Sequence, residues 1–438
     1  MKLKKFLALA IASVLVFALV ACGNSGANDT ATTNGGAETD TNGDAVAEEP
    51  TVEPGTEGTL EFWTMFTGAD GVNMQAIVDA FNATNPDFTV NHRAMEANDL
   101  YMNLPLAIQS GQGIPDIAMN HVERIPVFQE NGFLTDLSPM LAANGINPED
   151  YIQKAWDMTS IGGGHYGIPL DVHSFVLYVN MDLYEEFGNG ELDDDLLTWD
   201  EIFAAAPALE EAGLMAFPIT WSRAIFLSMY GQLGGTLSTD GINPDFNNDA
   251  AVQVLDVWQE LYNNGWSSRE GDSAWEMFLG GQAMFTPEGI WMYNNVREAG
   301  MNVRMLNFPV FDVNRPGNWT SSHQFVVPTD ENREEARYAA IFEFINFVGE
   351  NALEWAEAGQ APAQISIRES AAFMDMPQAF LTEENAGLLI YDYKFYGYAV
   401  EALDGIFDDV RFGRMTPQEG LDRAVQQARD SIEVGGGF

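Results

Sequence analysis

An α/β fold is what this sequence predicts, and three observations carry the prediction. From Thr59 onward, short apolar runs of period two take turns with segments whose apolar residues recur every three or four positions. Helix start and stop signals bracket the second kind. The 438 residues are 46% hydrophobic and 12% aromatic, enough apolar material for about three domains or two large ones.

The N-terminus comes first and reads as an address. Lys2, Lys4 and Lys5 precede an apolar run from Phe6 to Val20 that is interrupted only by Ser13. Such a run is short for a membrane span and fits an export signal. It ends in Leu19-Val20-Ala21-Cys22-Gly23, which resembles the lipobox of bacterial lipoproteins, and Cys22 is the sole cysteine of the chain. The expectation is a signal peptide over 1–21, cleavage before Cys22 and lipidation there, anchoring the protein to the extracellular face of the membrane. Loss of three lysines would take the net charge from −46 to −49. Residues 22–58 then form an acidic tether: Gly23–Gly58 holds no aromatic, Leu, Ile, Met, Lys or Arg. This composition offers too little apolar area to offset ordering. Roughly 35 such residues have an r.m.s. reach of about 30 Å. Asp40, Asn42 and Asp44 imitate the start of a calcium loop but lack its glycine and closing glutamate.

The folded part starts at Thr59. Leu60, Phe62 and Thr64 alternate in a strand; Met74, Ile77, Val78 and Phe81 make a helical stripe that stops before Pro86. Phe88–Asn91 is a second strand, Leu100–Gln109 a helix ending at Gly111, and Pro115–Met119 a third strand. Strands alternating with helices argue for a parallel sheet covered on both faces. Ligands of such sheets sit beyond the carboxyl ends of strands, here Thr64–Thr67 and Asn120–Arg124. Thr198-Trp199-Asp200-Glu201 and Thr416-Pro417-Gln418-Glu419 are capping-box starts. Further apolar stripes run through Val252–Tyr262, Ala336–Val348 and Leu421–Ile432.

Motifs of chemistry are scarce. Gly162–Gly167 spells GxGxxG, but Ile168-Pro169 and a strand-like Ser174–Val179 follow where a helix should start, so it reads as a turn. No Walker loop, nucleophile elbow or HExxH occurs, and one cysteine excludes an internal disulfide or CxxC pair. An excess of 65 acidic over 19 basic residues argues against nucleic acid or anionic lipid as partner. It also makes carboxylate pairs uninformative, and the Asp193–Asp195 run reads as a solvated loop. Among the five histidines, His92, His121, His165, His173 and His323, none share helical i, i+4 spacing. Hydrogen bonding to a polar ligand is favoured over a metal site, and no cofactor is expected. Trp63, Phe66, Trp221, Trp275, Trp291, Tyr293 and the Tyr391–Tyr398 stretch stand near predicted loops or element ends. Flat rings there suit the apolar face of a sugar; core packing is the alternative for each.

From 59 to 438 the chain resembles the extracellular solute-binding proteins of the maltose-binding-like, carbohydrate-uptake class that serve ABC importers. The likeness rests on pieces in family order: Leu60-Glu61-Phe62-Trp63-Thr64, Phe81-Asn82 with Asn85-Pro86, Ser110-Gly111 with Pro115-Asp116-Ile117, and Gly132-Phe133-Leu134-Thr135-Asp136-Leu137. Tyr166-Gly167-Ile168-Pro169, Tyr178-Val179-Asn180, Thr198–Ile202, Gly280–Phe285, Gly289-Ile290-Trp291 and Ala340–Ile345 follow. The resemblance implies a two-lobe α/β fold with hinge crossovers near Asp171–Ser174, Ser322–Phe325 and Pro362–Arg368. Lobe one would be 59–172 plus 325–362, and lobe two 173–322 plus 363–438.

The implied function is capture of a sugar, an oligosaccharide in the main expectation, by a monomeric lipoprotein that closes its lobes and delivers the ligand to a membrane permease without chemistry. A polyamine, a glycerol phosphate or a metal chelate is the alternative ligand, and a secreted glycoside hydrolase the alternative class. Carried over position by position, Trp63 and Phe66 would be platforms, and Asn120, His121, Glu123 and Arg124 hydroxyl partners. Asp171 and His173 would lie at the first hinge and His323 at the second. Trp221, Arg223, Trp275, Glu288, Gly289 and Trp291 would come from lobe two, with Tyr396 before the last helices. Asp116 reads as structural. With lysines only at 154 and 394 beyond the leader, the acidic surface suits high salt or high pH outside the cell.

Overall fold

A computed structural model describes residues 58–188, 192, 196–383 and 386–435. The leader, Cys22, the tether up to residue 57 and Asp193–Asp195 lie outside the described residues. Two five-stranded sheets dominate. The first runs β2 (Thr89–Ala94), β1 (Thr59–Thr64), β3 (Ile117–His121), β11 (His323–Val326), β6 (Ile168–Pro169). The second runs β12 (Leu388–Leu389), β10 (Asn318–Ser321), β7 (His173–Asn180), β8 (Phe285–Gly289), with β9 (Val303–Leu306) also on β7. β4 (Ser160–Ile161) and β5 (Gly164–His165) make a small hairpin. Gly162 and Gly163 turn it at φ 61° and 90°, which is the conformation the GxGxxG string serves.

The side-chain period of two divides each sheet between two cores. On the first sheet Leu60, Phe62, Ile117, Met119 and Phe325 face one cluster with Phe81, Ile341 and Phe344. Trp63, Ala118 and Val326 face the other, packed on Leu100 and Leu104 of helix Ala97–Ser110. On the second sheet Phe175, Leu177 and Val179 meet the helices Trp199–Glu211, Ser222–Gln232, Asp249–Asn263 and Tyr396–Arg411. Val176 and Tyr178 turn to Phe278, Ile290 and Phe373. Each face thus buries a continuous apolar surface, the dominant favourable contribution to folding.

The all-parallel sheet expected from strand–helix alternation is corrected to two mixed sheets. β1 pairs in parallel with β2 and β3, but β11 is antiparallel to β3 and to β6. In the second sheet β7 is antiparallel to β8, β9 and β10. The reason is connectivity: β11 returns from the second sheet instead of from a crossover helix within the first. Both capping boxes form, with Glu201 and Glu419 carboxylates accepting from the backbone N–H of Thr198 and Thr416. Among the described residues, no helix is long and apolar enough to cross a membrane.

Candidate functional site

The chain passes from the first sheet to the second between β6 and β7 and returns between β10 and β11. Strand pairing concentrates polar side chains at this crossing. His121 ends β3 and His323 begins β11, directly opposite each other in register. His173 begins β7, opposite Ser321 of β10. The three rings meet: centroids are 4.1 Å apart for His173–His323, 4.9 Å for His121–His323 and 5.6 Å for His121–His173. Asn120 and His121 thereby belong to the strand end, not to a following loop.

Asp171, fully buried between β6 and β7, organises the cluster. Its Oδ1 accepts from His173 Nδ1 at 2.9 Å and from the His323 backbone N–H at 3.1 Å. Its Oδ2 accepts from His323 Nδ1 and from Trp355 Nε1, both at 2.8 Å. Burial alone would raise this carboxyl; His323 and His173 outweigh it and hold it well below the usual carboxylate range. An ionised carboxylate only accepts, so both imidazoles donate to it through Nδ1. His121 Nδ1 is engaged by the Tyr101 hydroxyl, which also accepts the His121 backbone N–H. Burial, then the neighbouring rings, push His121 well below 6.5 and His173 down to about 4, so both are neutral at pH 7.

Polar atoms with no partner among the described residues include both side-chain ends of Asn120, the residue before His121 in β3, and Oε1 of Glu123. Glu123 Oε2 accepts from Ser321 Oγ at 2.7 Å, and burial lifts this carboxyl to about 7. Buried polar groups are normally satisfied, so each of these atoms calls for a partner from outside the chain, whether water or a polar ligand.

The second sheet contributes aromatic edges. Trp291 lies 5.6 Å from His173, 6.0 Å from Phe175 and 6.0 Å from Trp221, each edge to face. Trp221 is 54% exposed. A Cβ added to Gly289 would stand 2.2 Å from Trp291 Cε2, so a glycine is what lets this ring lie flat against β8. Trp319, which the sequence reading did not single out, sits 6.1 Å from His173 and donates to the Tyr396 hydroxyl at 3.1 Å. Its position two residues before the return crossing was the available signal. Tyr101, Trp355 and Asp70, at the start of helix Ala69–Ala83, were also missed. Burial raises Asp70, with His323 and Asp171 acting on it.

The remaining expected residues are placed differently. Trp63 is buried against helix Ala97–Ser110 with Arg93 5.4 Å above its ring. Phe66, 1% exposed, packs between His323 at 4.8 Å and Trp355 at 4.7 Å. Both are core placements and not open platforms, because strand alternation turns Trp63 to the helix and the chain after β1 tucks Phe66 behind the histidines. Trp275 has Tyr178 and Phe278 as ring partners, on the far face of the second sheet. Glu288 is buried within β8, accepts from the Gly289 N–H at 3.1 Å and is pushed by burial up to about 8. Arg223 pairs with Asp404, and Arg124 lies over the Tyr101 ring with Glu401 at 3.9 Å.

Comparison with known proteins agrees with this architecture. The family model described as bacterial extracellular solute-binding protein matches residues 76–380, strands of both sheets included. The maltodextrin-binding protein MdxE of Bacillus subtilis is 26% identical over 249 residues, 54% of this chain and 57% of that protein. The arabinooligosaccharide-binding protein of the same organism is 26% identical over 214 residues, 48% of each. The chain therefore matches about half the length of these curated relatives. Among solved structures, the substrate-binding protein Lmo0181 of Listeria monocytogenes in complex with cycloalternan superposes with a TM-score of 0.75. That match has 19% identity, covers 86% of this chain and 99% of the other, and shows the shared two-lobe fold. By the extent of the family match, the chain belongs to the bacterial extracellular solute-binding proteins.

Proposed function

We propose that the protein captures a carbohydrate, an oligosaccharide, between two lobes and hands it unchanged to an ABC importer, working as a monomer held at the extracellular face of the cell membrane through Cys22. Lobe one is 59–172 plus 325–362 and lobe two 173–322 plus 363–438. The observation that carries the reading is the pairing of unlike surfaces at the crossing. Orphaned polar atoms of Asn120 and Glu123 stand on the first-sheet side, and Trp221, Trp291 and Trp319, each edge to face with Phe175, on the second. A sugar ring presents both complements, hydroxyls for the first and CH faces for the second. Relatives named for maltodextrin and arabinooligosaccharide support the same ligand class. Closure follows if contacts from both lobes are made only in the closed state.

The test is thermal unfolding of the chain against malto- and arabino-oligosaccharides, glycerol phosphate and polyamines. A ligand at 100 times its Kd adds about 2.7 kcal/mol of stability, a shift of a few degrees. A shift with one glycan series is expected. A shift with polyamine or glycerol phosphate alone overturns the sugar assignment.

A further inference from the structure

We propose that His121, His173 and His323 form a three-histidine site for a divalent transition-metal ion, with zinc the ion that best suits it. This goes beyond the carbohydrate reading and does not depend on it. One ring nitrogen of each histidine lies within 4.8 Å of one on each of the others. All three Nδ1 atoms are already hydrogen-bonded, to Asp171 for His173 and His323 and to Tyr101 for His121. Nε2 is therefore the nitrogen each ring has to give, and among the described residues none of the three Nε2 atoms has a hydrogen-bond partner.

The surroundings are those a metal ligand needs. Metal-bound imidazoles hold their other N–H on a carboxylate or similar acceptor, which fixes the tautomer and ring orientation. Asp171 does this for two rings at once, and its remaining acceptor positions are filled by Trp355 Nε1 and the His323 N–H, so the carboxylate cannot swing away. Phe66 closes the back of His323 edge-on at 4.8 Å. A cation among the three rings would give their unbonded nitrogens a common partner.

The donor set selects the ion. Three imidazole nitrogens suit zinc and its neighbours, whereas calcium and magnesium want oxygen ligands. Zn–N bonds of about 2.0–2.1 Å in a tetrahedron separate the nitrogens by about 3.4 Å, so binding would draw the three rings together. The fourth position stays open for water or a ligand oxygen. Because His121 and His323 come from the first sheet and His173 from the second, the ion would tie the two sheets together at the crossing.

The experiment uses untagged, chelator-stripped full chain titrated with Co²⁺, followed by its visible absorption, and then with Zn²⁺ by competition calorimetry. One equivalent of cobalt with intense four- or five-coordinate bands, displaced by one equivalent of zinc, is expected. His121→Gln, His173→Gln and His323→Gln should each weaken zinc by about 100-fold or more, by analogy with the 10–100-fold cost of losing a supporting group alone. His165→Gln and His92→Gln should leave it unchanged. His121→Gln leaves the Asp171 hydrogen bonds intact, and circular dichroism of each variant separates lost binding from lost folding. Absence of stoichiometric binding, indifference to the three substitutions in folded protein, or equal binding of Mg²⁺ overturns the site. Oligosaccharide titration of the stripped protein reads the carbohydrate assignment separately, so the two can fail independently.

Discussion

His165 and the His121–His173–His323 cluster are all imidazoles drawn in from solvent, but they differ in one respect. His165 stacks on Trp156 at 3.9 Å and has both nitrogens occupied, Nε2 by the Thr159 hydroxyl at 3.3 Å and Nδ1 by that of Ser160 at 3.0 Å. His92 is likewise complete, with Thr64 at 2.7 Å and Gln75 at 3.1 Å. Each cluster histidine is held through Nδ1 alone. A buried polar group whose valences are all filled stabilises the fold it sits in. One left half-filled keeps a ring nitrogen free for a bound partner.

Removing the holder of the cluster should have the largest effect. Asp171→Ala strands three side-chain donors in a dry site and should cost about 3–5 kcal/mol of stability, read from urea unfolding. A loss under 1 kcal/mol would mean that these hydrogen bonds do not organise the crossing. Trp291→Ala should leave folding intact and weaken oligosaccharide binding by about 1–3 kcal/mol. Calorimetry that returns wild-type affinity would remove the second-sheet wall from the site.

The filled histidine sharpens the contrast through pH. Burial lowers His165 from 6.5 to about 4. Between those values the unfolded chain holds a proton that the folded chain does not, so stability rises with pH across the window. The contribution is complete above about 6.5 and lost as pH falls through about 4. His165→Gln should flatten this acid limb by at most about 1.4 kcal/mol per pH unit, with ligand affinity unchanged. A changed affinity would place His165 in the site. The smallest effect is expected at Glu123, which burial lifts from 4.5 to about 7. Here the folded chain keeps a proton that the unfolded chain has lost, so stability falls as pH rises from 4.5 to 7. Glu123→Gln copies the neutral acid, should remove that fall, and should change affinity at neutral pH by less than about 1 kcal/mol.

Much of this was legible in the sequence because it rests on local rules. The stripe Met74–Phe81, the αL glycine Gly111 and the Thr198 and Thr416 capping boxes are each decided within a few residues. Strand direction in the sheets was not, because it depends on which distant segment returns beside β3, and β11 arrives from some 200 residues further on. The same non-locality hid how the site residues meet. Asp171 and His173 are sequence neighbours, but their meeting with His323, Trp355 and Tyr101 is a product of register and crossover. Trp63 and Phe66 show the converse: motif position marked them, and strand alternation with helix packing decided which way they face.

The division of the histidines into three half-filled and two filled can be measured directly. Imidazole ¹⁵N–¹H correlation spectra report the tautomer and environment of all five rings while a maltodextrin or arabinooligosaccharide, and separately Zn²⁺, is titrated in. The account predicts Nδ1–H tautomers for His173 and His323 and large changes at His121, His173 and His323, with His92 and His165 unmoved. Equal movement of His92 and His165, or three cluster rings that respond to neither ligand, would contradict it.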